Sequence, residues 1–423
     1  MPADVGLSAH RDPQVLRWLG AYGLSATGDS VYHVALTWAA TRGGSAAEAG
    51  AVLAAGAVPR ALLMLGGGVL ADRIGPRTVV LVSDTARCLV VLGLAALLWL
   101  TTPGLWVLAA VAVVFGILDA VFMPAVGALP PRIVPRGQLA RVQGLRGLAG
   151  RGATVAGAPL GGAATALSGA PAAFTAAAAL FALSLPLLLT LRIAPLPPSA
   201  AENSPPGPVG SPAAERGGRL KRLAGDLADG LRYVRGHRVL GPLIVVVAVS
   251  DLGFVGPLGV GLALLAEARG WGAPGLGWLL AGFAAGSAAA SLLLAVRGRI
   301  PRAGLVMGLA LVTGSAAIAA LALLPGLVAA VAVAALVGVL TGVSGSLCGA
   351  LLQTAADPAH LGRVTSLATF VSLGLAPLSF PLTGAAVGLW DATPVFAVSA
   401  LVCAAGAVYG LCSVHLRRAE LPH

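Results

Sequence analysis

Apolar stretches long enough to cross a bilayer recur along the chain from near Val15 almost to its last residues, and the polar positions gather in the breaks between them. A transmembrane helix needs about 20 predominantly apolar residues. Twelve segments reach that length: 15–40, 48–70, 78–100, 104–127, 142–168, 171–192, 239–265, 274–296, 302–324, 326–353, 364–389 and 393–416. Six precede and six follow a polar interruption over 193–238. The pattern predicts an all-α membrane protein of 12 transmembrane helices, with a six-helix half over 1–192, a linker over 193–238 and a second half over 239–423. The linker opens on Pro195, Pro197, Pro198, Pro205, Pro206, Pro208 and Pro212, which leave no room for a regular element. It closes on a basic stretch where Leu220, Leu223, Leu227, Leu231 and Val234 recur at helical spacing, as in an amphipathic helix lying on the membrane face.

Composition agrees. The chain of 423 residues is 57% apolar and 10% charged, against about 25% charged residues in soluble domains. Twelve helices of about 21 residues need about 250 residues, which the apolar fraction supplies. A soluble enzyme, a disordered tail and a secreted disulfide scaffold are excluded. The net charge of +11 does not indicate a nucleic-acid partner, because most of the 27 basic residues lie in breaks on alternate sides of successive segments. One side holds Arg11, Arg17, Arg73, Arg77, Arg132, Arg136, Arg141, the basic linker from Arg192 to Arg238, Arg297, Arg299, Arg302, Arg363, Arg417 and Arg418; the other holds Arg42 and Arg269. Basic loops stay cytoplasmic, so both termini are expected inside. Asp4, His10, Arg11 and Asp12 precede a first apolar run too long for a signal-peptide core, so no cleaved signal is expected. Cys88, Cys348, Cys403 and Cys412 sit in apolar runs without metal-type spacing and suit helix packing.

The two halves repeat. Leu139-Ala140-Arg141-Val142-Gln143-Gly144-Leu145 matches Leu361-Gly362-Arg363-Val364-Thr365-Ser366-Leu367 at an offset of 222, and the same offset carries Asp29 onto Asp251. Arg73-Ile74-Gly75-Pro76-Arg77 has a looser counterpart in Arg299-Ile300-Pro301-Arg302. Corresponding helices start on the same side, so the repeat is parallel with its axis along the membrane normal, the arrangement of the major facilitator architecture.

Asp29, Asp119 and Asp251 lie inside apolar segments, where a charged aspartate costs about 2.5–3.5 kcal/mol on insertion scales. Such an acid gains and loses a proton or finds a partner. His33, one helical turn from Asp29, is placed to share its proton. Two roles stay open for the acids: proton coupling or substrate contact, and structural pairing with Arg60, Arg87 or nearby hydroxyls. Arg60, after Pro59, needs an acidic or polar partner inside the bundle. Asp84 and Arg87 are spaced to pair within the third helix near its loop. Trp18, Tyr22, Tyr32, Trp38, Phe115, Phe122, Phe254, Phe283 and Phe370 suit packing or interfacial anchoring, or the lining of a cavity. Gln353, at the inner end of the tenth segment, is one of few amides. No Walker loop, zinc signature, nucleophile elbow or nucleotide fingerprint is present, so no cofactor, metal, ATP drive or enzymatic activity is expected.

Gly67-Gly68-Val69-Leu70-Ala71-Asp72-Arg73-Ile74-Gly75-Pro76-Arg77 resembles the signature loop of the major facilitator superfamily, in which Asp-Arg is followed by Gly and a basic residue. The resemblance implies a cytoplasmic gate formed by Gly68, Asp72, Arg73, Gly75 and Arg77, with Asp84, Arg87, Arg141 and Arg363 beside it. Gly144, Gly157, Pro159, Gly161 and Gly162 resemble the antiporter signature of the superfamily's drug exporters, with the proline one place late and Ala153 at a glycine position. Packing by a chain with 58 glycines accounts for the same residues nearly as well.

The ordered set Gly28-Asp29, His33-Val34-Ala35-Leu36, Pro59-Arg60, Leu70-Ala71-Asp72-Arg73, Asp84 with Arg87, Phe122-Met123-Pro124-Ala125, Gly230-Leu231-Arg232-Tyr233-Val234-Arg235-Gly236-His237 and Gly362-Arg363-Val364 is similar to the enterobactin-exporter and macrolide-efflux group. Met123 stands where that group commonly carries an acid, and Asp119 is one turn earlier. The resemblance implies a bacterial inner-membrane transporter, acting as a monomer among membrane lipids. It would export a small amphipathic substrate (a siderophore, macrolide or other secondary metabolite) against entering protons. A lipid flippase or uptake transporter of the same fold, and a non-transporting sensor or scaffold, are the alternatives.

Overall fold

The computed structural model describes residues 12–134, 138–191, 229, 231–297, 300–357 and 360–421, and the side chains of 65–73, 140 and 295 are not among those described. Helix ends follow from local chemistry. Helix α1 (Pro13–Gly43) begins where the Asp12 carboxylate accepts a hydrogen bond from Gln14 N at 2.8 Å, with proline in the first turn. Ser45 and Glu48 cap α2 (Ala46–Ile74) reciprocally: Ser45 N donates to Glu48 Oε2 at 2.7 Å, and Glu48 N donates to Ser45 Oγ at 3.3 Å. Gly75, at φ +93°, makes the tight turn into α3 (Pro76–Leu100), a conformation that favours glycine. Helix α4 (Leu105–Gly127) and a short turn at Pro130–Ile133 follow. The next helical stretch, Leu139–Leu189, breaks at Ser168 and at Gly169 (φ 77°), giving α5 (139–167) and α6 (170–189).

The second half comprises α7 (Leu240–Ala268), α8 (Gly272–Arg297), α9 (Ala303–Leu323), α10 (Leu327–Ala355), α11 (Leu361–Trp390) and α12 (Ala392–Cys412). Among the described residues this makes the 12 expected spanning helices. Ten helical stretches are long and apolar enough to cross a membrane, and one of them, 141–189, holds α5 and α6; the 31-residue α1 completes the set. Helix α7 carries a single π turn, Pro257–Gly261. Proline has no N–H to give the preceding turn, and Ser379 stitches the site to α11, accepting from Gly256 N at 2.8 Å and donating to Leu252 O at 3.0 Å.

In the first half α1 packs on α5 and α6, α2 on α4, and α3 on α6; in the second α7 packs on α11 and α12, α8 on α10, and α9 on α10 and α12. The halves meet along α2–α11 and α5–α8. Those contacts are tightest toward the end that carries Arg42 and Arg269. A Cβ on Gly162 would sit 2.5 Å from Ala273 O and 3.0 Å from Pro274 Cα, and one on Gly277 would sit 2.5 Å from Ala158 O and 3.0 Å from Pro159 Cα. Gly50 and Gly384 bring α2 and α11 together in the same way. Arg42 Nη1 and Glu267 Oε1 also meet across this end at 3.5 Å, an exposed pair that adds at most about 1 kcal/mol. The arginine-poor end is therefore shut by backbone approach.

Gly162→Leu is expected to prop that end open. With Thr37→Cys as reporter in a chain lacking the four native cysteines, an impermeant maleimide added from the arginine-poor side should label the cavity several-fold faster. An unchanged rate would show that α5–α8 packing does not seal it.

Leu220, Leu223, Leu227 and Gly230 lie outside the described residues; at the end of the linker Leu231 is exposed, while Tyr233 and Val234 after it pack on the protein. Val234 is 3% exposed in a core shared with Leu240, Leu243, Met307 and Leu351. The Tyr233 ring stacks on His360 with centroids 4.2 Å apart, and its hydroxyl donates to Asp357 Oδ2 at 3.0 Å. A tyrosine and a valine on successive positions give residues 231–236 protein partners that the leucine spacing alone does not reveal.

Candidate functional site

Four helices of the first half bring five charged side chains together. Arg87 of α3 is fully buried. Its Nη2 donates to Asp119 Oδ1 of α4 at 2.6 Å, and its Nη1 lies 3.5 Å from Asp29 Oδ1 of α1 and 3.6 Å from Asp84 Oδ1 on its own helix. The guanidinium also covers the Phe122 ring at 3.9 Å and faces that of Phe115 at 5.2 Å. Arg60 of α2 approaches from the cavity side, with Nε 2.9 Å from Asp119 Oδ2. Asp119 thus bridges the two cations.

The three acids differ in how well they are held. Asp84 accepts from Ser25 Oγ and from Ser184 Oγ, both at 2.9 Å, and is wholly enclosed. Asp119 has both arginines. Asp29 has Arg87 alone, out of hydrogen-bonding geometry, and its side chain is 23% exposed. Buried Arg87 Nε and Nη1, Asp29 Oδ1 and Tyr32 Oη have no hydrogen-bond partner among the described residues. Three carboxylates face two guanidiniums. With all five ionised one negative charge is left over, and Asp29 is the most weakly partnered and most exposed of the three acids.

Beside the cluster, a cavity of about 350 Å³ lies between the halves, lined by His33, Arg60, Asp119 and Phe115 of the first half and Leu258 and Phe380 of the second. A second, of about 550 Å³, lies between α7, α9, α10 and α11. It contains Asp251, whose Oδ2 accepts from Ser372 Oγ at 2.5 Å. No basic side chain comes within 4 Å of Asp251 among the described residues. On α7, α10 and α11 the residues lining this second cavity lie in the half nearer the arginine-rich end, whereas on α9 the lining runs past mid-helix through Gly314, Ser315 and Ile318.

The sequence pairs Asp29 with His33, but the structure does not join them by a hydrogen bond. The His33 ring packs edge-on to Tyr32 and Phe115 and is open to the cavity. Asp84 and Arg87 are corrected from gate to core. They lie two and three turns inside α3, and Arg87 pairs more closely with Asp119 than with Asp84. Of the loop residues, Gly68, Asp72 and Arg73 fall among the side chains that are not described. Arg77 Nη2 donates to Leu189 O at the end of α6 at 2.7 Å, a cation on a helix C-terminus. Arg141 is exposed and Arg363 half-buried at the arginine-rich end, and Arg136, Arg192 and Arg299 lie outside the described residues.

Gly157 and Gly161 let α5 approach Ser30 and Val31 of α1, while Pro159 and Gly162 meet α8, so this motif forms packing surfaces on two sides. Ser25, Ser184 and Ser372 hold the acids; the sequence offers hydroxyls as partners without naming these three. Their signal was a hydroxyl inside an apolar span.

Comparison with known proteins places this geometry. The family described as Major Facilitator Superfamily matches residues 18–371. No curated protein matches the chain. Among solved structures, a bacterial homolog of the human lysosomal transporter Spinster, inward-facing and occupied, superposes with a TM-score of 0.68 at 15% identity over 95% of each chain. The nucleoside transporter NupG gives 0.66 at 13% identity over 95% of this chain and 99% of that one. A POT family transporter in complex with 5-aminolevulinic acid gives 0.68 at 11% identity over 92% and 94%. At these identities the likeness concerns the fold.

Proposed function

The chain belongs to the Major Facilitator Superfamily and is an integral multi-pass membrane protein with a transporter fold, and from that premise we propose that it is a proton-coupled secondary transporter that exports an amphipathic small molecule from a bacterial cell. The observation that carries the reading is the charge imbalance of the first-half cluster: three acids, two arginines, and one acid left within reach of the space between the halves. Proton binding at Asp29 removes the surplus charge and frees Arg87 to hold Asp119 and Asp84. Proton release restores the pull of Arg87 on Asp29 of α1. Alternate partners for one buried arginine couple protonation to the placing of α1 against α3 and α4, a differential interaction that can shift a two-state equilibrium.

The arginine-rich end is taken as cytoplasmic by the charge rule, so both termini face the cytoplasm, the membrane is the inner one and the structure is the inward-facing state. The cavity walls, largely apolar with hydroxyls and a few charged side chains, suit an amphipathic cargo. Export of a siderophore, macrolide or other secondary metabolite by a monomer is the substrate reading that the sequence resemblance supports.

The test is a susceptibility panel in a host deleted for its own pumps, repeated with a protonophore, together with proton movement in everted vesicles on substrate addition. Protection that the protonophore abolishes, with substrate-dependent alkalinisation of the vesicle interior, is the expected result. Protection indifferent to the protonophore would remove proton coupling, and substrate accumulation by intact cells would reverse the direction.

A further inference from the structure

The second-half cavity contains a charge that the protein leaves unanswered. Among the described residues that line it, Asp251 is the sole formally charged one. Its partner is a neutral hydroxyl, that of Ser372. Every acid of the first-half cluster has a guanidinium within 3.6 Å; among the described residues Asp251 has none within 4 Å. Ser250, beside it on α7, is 8% exposed and its buried Oγ lacks a hydrogen-bond partner, so a second polar group at the same wall is also unsatisfied. The other walls mix apolar side chains, among them Val246, Phe254, Leu311, Ile318 and Leu352, with hydroxyls, of which Ser315, Thr341, Thr365 and Thr369 are spent on carbonyls of their own helices, and Met64 of α2 borders the cavity from the first half. An ionised carboxylate among such walls is expensive unless a cation meets it, and the volume suits a ligand of drug size.

We propose that this cavity is a binding site for a hydrophobic organic cation, an amine or onium ion, whose positive charge pairs with Asp251 and whose body packs on the apolar walls. The inference rests on the transporter reading above and divides its labour: the first half handles the proton, and the second recognises the cargo by its charge. A neutral amphiphile would gain the apolar contacts but leave Asp251 unpaired. An anion of the same shape would be repelled.

Binding to purified full-length protein without any gradient tests the site apart from transport. The probes are tetraphenylphosphonium and tetraphenylborate, of near-identical shape and opposite charge, measured by equilibrium dialysis. Saturable binding of the phosphonium and none of the borate is expected. Asp251→Asn should weaken phosphonium binding about tenfold or more, with Asp251→Glu restoring most of it and Asp229→Asn, which removes an exposed acid of the linker, leaving it within about twofold. If the Asn variant fails to fold, a cavity that keeps Asp251 still reports. Cys348 lines it, and phosphonium should slow maleimide labelling of a variant whose other cysteines are replaced by serine.

Equal binding of both ions, undiminished binding in a folded Asp251→Asn, no saturable binding to the wild type, or no protection of Cys348 would each overturn the site. Charge-selective binding that needs Asp251 in a protein with no protonophore-sensitive efflux would sustain the site and remove the transport reading. Efflux without such binding would do the reverse.

Discussion

Arg87→Leu is expected to leave little folded protein in the membrane. Breaking a buried ion pair by removing one partner costs about 3–5 kcal/mol, and here one removal leaves Asp29, Asp84 and Asp119 facing one another with Arg60 as the remaining cation. Asp84 keeps its two serine hydroxyls and Asp119 keeps Arg60, but Asp29 keeps nothing. The loss also empties the space over the Phe122 and Phe115 rings, so packing fails along with charge balance. Detergent-solubilised yield and the thermal unfolding midpoint measure the effect. The double variant Arg87→Leu with Asp119→Leu should recover part of the loss, because it removes the acid that Arg87 holds at 2.6 Å. A single variant as stable as the wild type would show that the acids are already protonated and that Arg87 does not hold the cluster together.

The spans, the parallel repeat and the break between the fifth and sixth helices were legible because each is a property of the chain's own periodicity. Ser168-Gly169 ends one apolar run and no side chain elsewhere is needed to explain it. The candidate partners of the acids, Arg60, Arg87 and nearby hydroxyls, were legible, but which acid takes which was not, since the pairings cross between helices. Asp29 and Asp251 occupy equivalent positions at the offset of 222, yet one lies beside a buried arginine and the other beside a serine. Carrying Arg60, Asp84, Arg87 and Asp119 forward by the same offset lands on Gly282, Val306, Leu309 and Thr341, so the second half lacks every partner that the first provides. That asymmetry was present in the sequence. Its meaning emerges only once α2, α3 and α4 converge on α1.

Arg87 was grouped with the gate because it is near the loop in sequence. Eleven residues from Pro76 at about 1.5 Å each put it about 16 Å along the helix, well inside the membrane. Arithmetic on helix rise would have placed it correctly. The serines are a different case: a hydroxyl in an apolar helix is usually spent on its own backbone, as Thr37 Oγ1 is on His33 O, and nothing local distinguishes Ser372 from Thr37.

Asp29→Asn is expected to abolish protonophore-sensitive efflux while leaving the protein inserted and monodisperse. The amide has nearly the shape of the acid and cannot ionise, so it fixes the cluster in its neutral-Asp29 form with two acids against two arginines. This balanced state is the more comfortable one for Arg87, and the variant should therefore unfold no more easily than the wild type. What it loses is the alternation: with no charge to gain on α1, Arg87 has no reason to change partners, and a coupling of about 1–3 kcal/mol, or about 5–150-fold in the conformational equilibrium, disappears. Efflux against a gradient should fall by that order, whereas energy-independent exchange of labelled for unlabelled substrate should persist, because exchange needs no net proton movement. Asp84→Asn offers the contrast. Enclosed and held by Ser25 and Ser184, Asp84 should affect stability more than coupling. If Asp29→Asn pumped as well as the wild type, or if exchange vanished together with efflux, the surplus charge would reside elsewhere in the cluster and Asp29 would be a packing residue of α1.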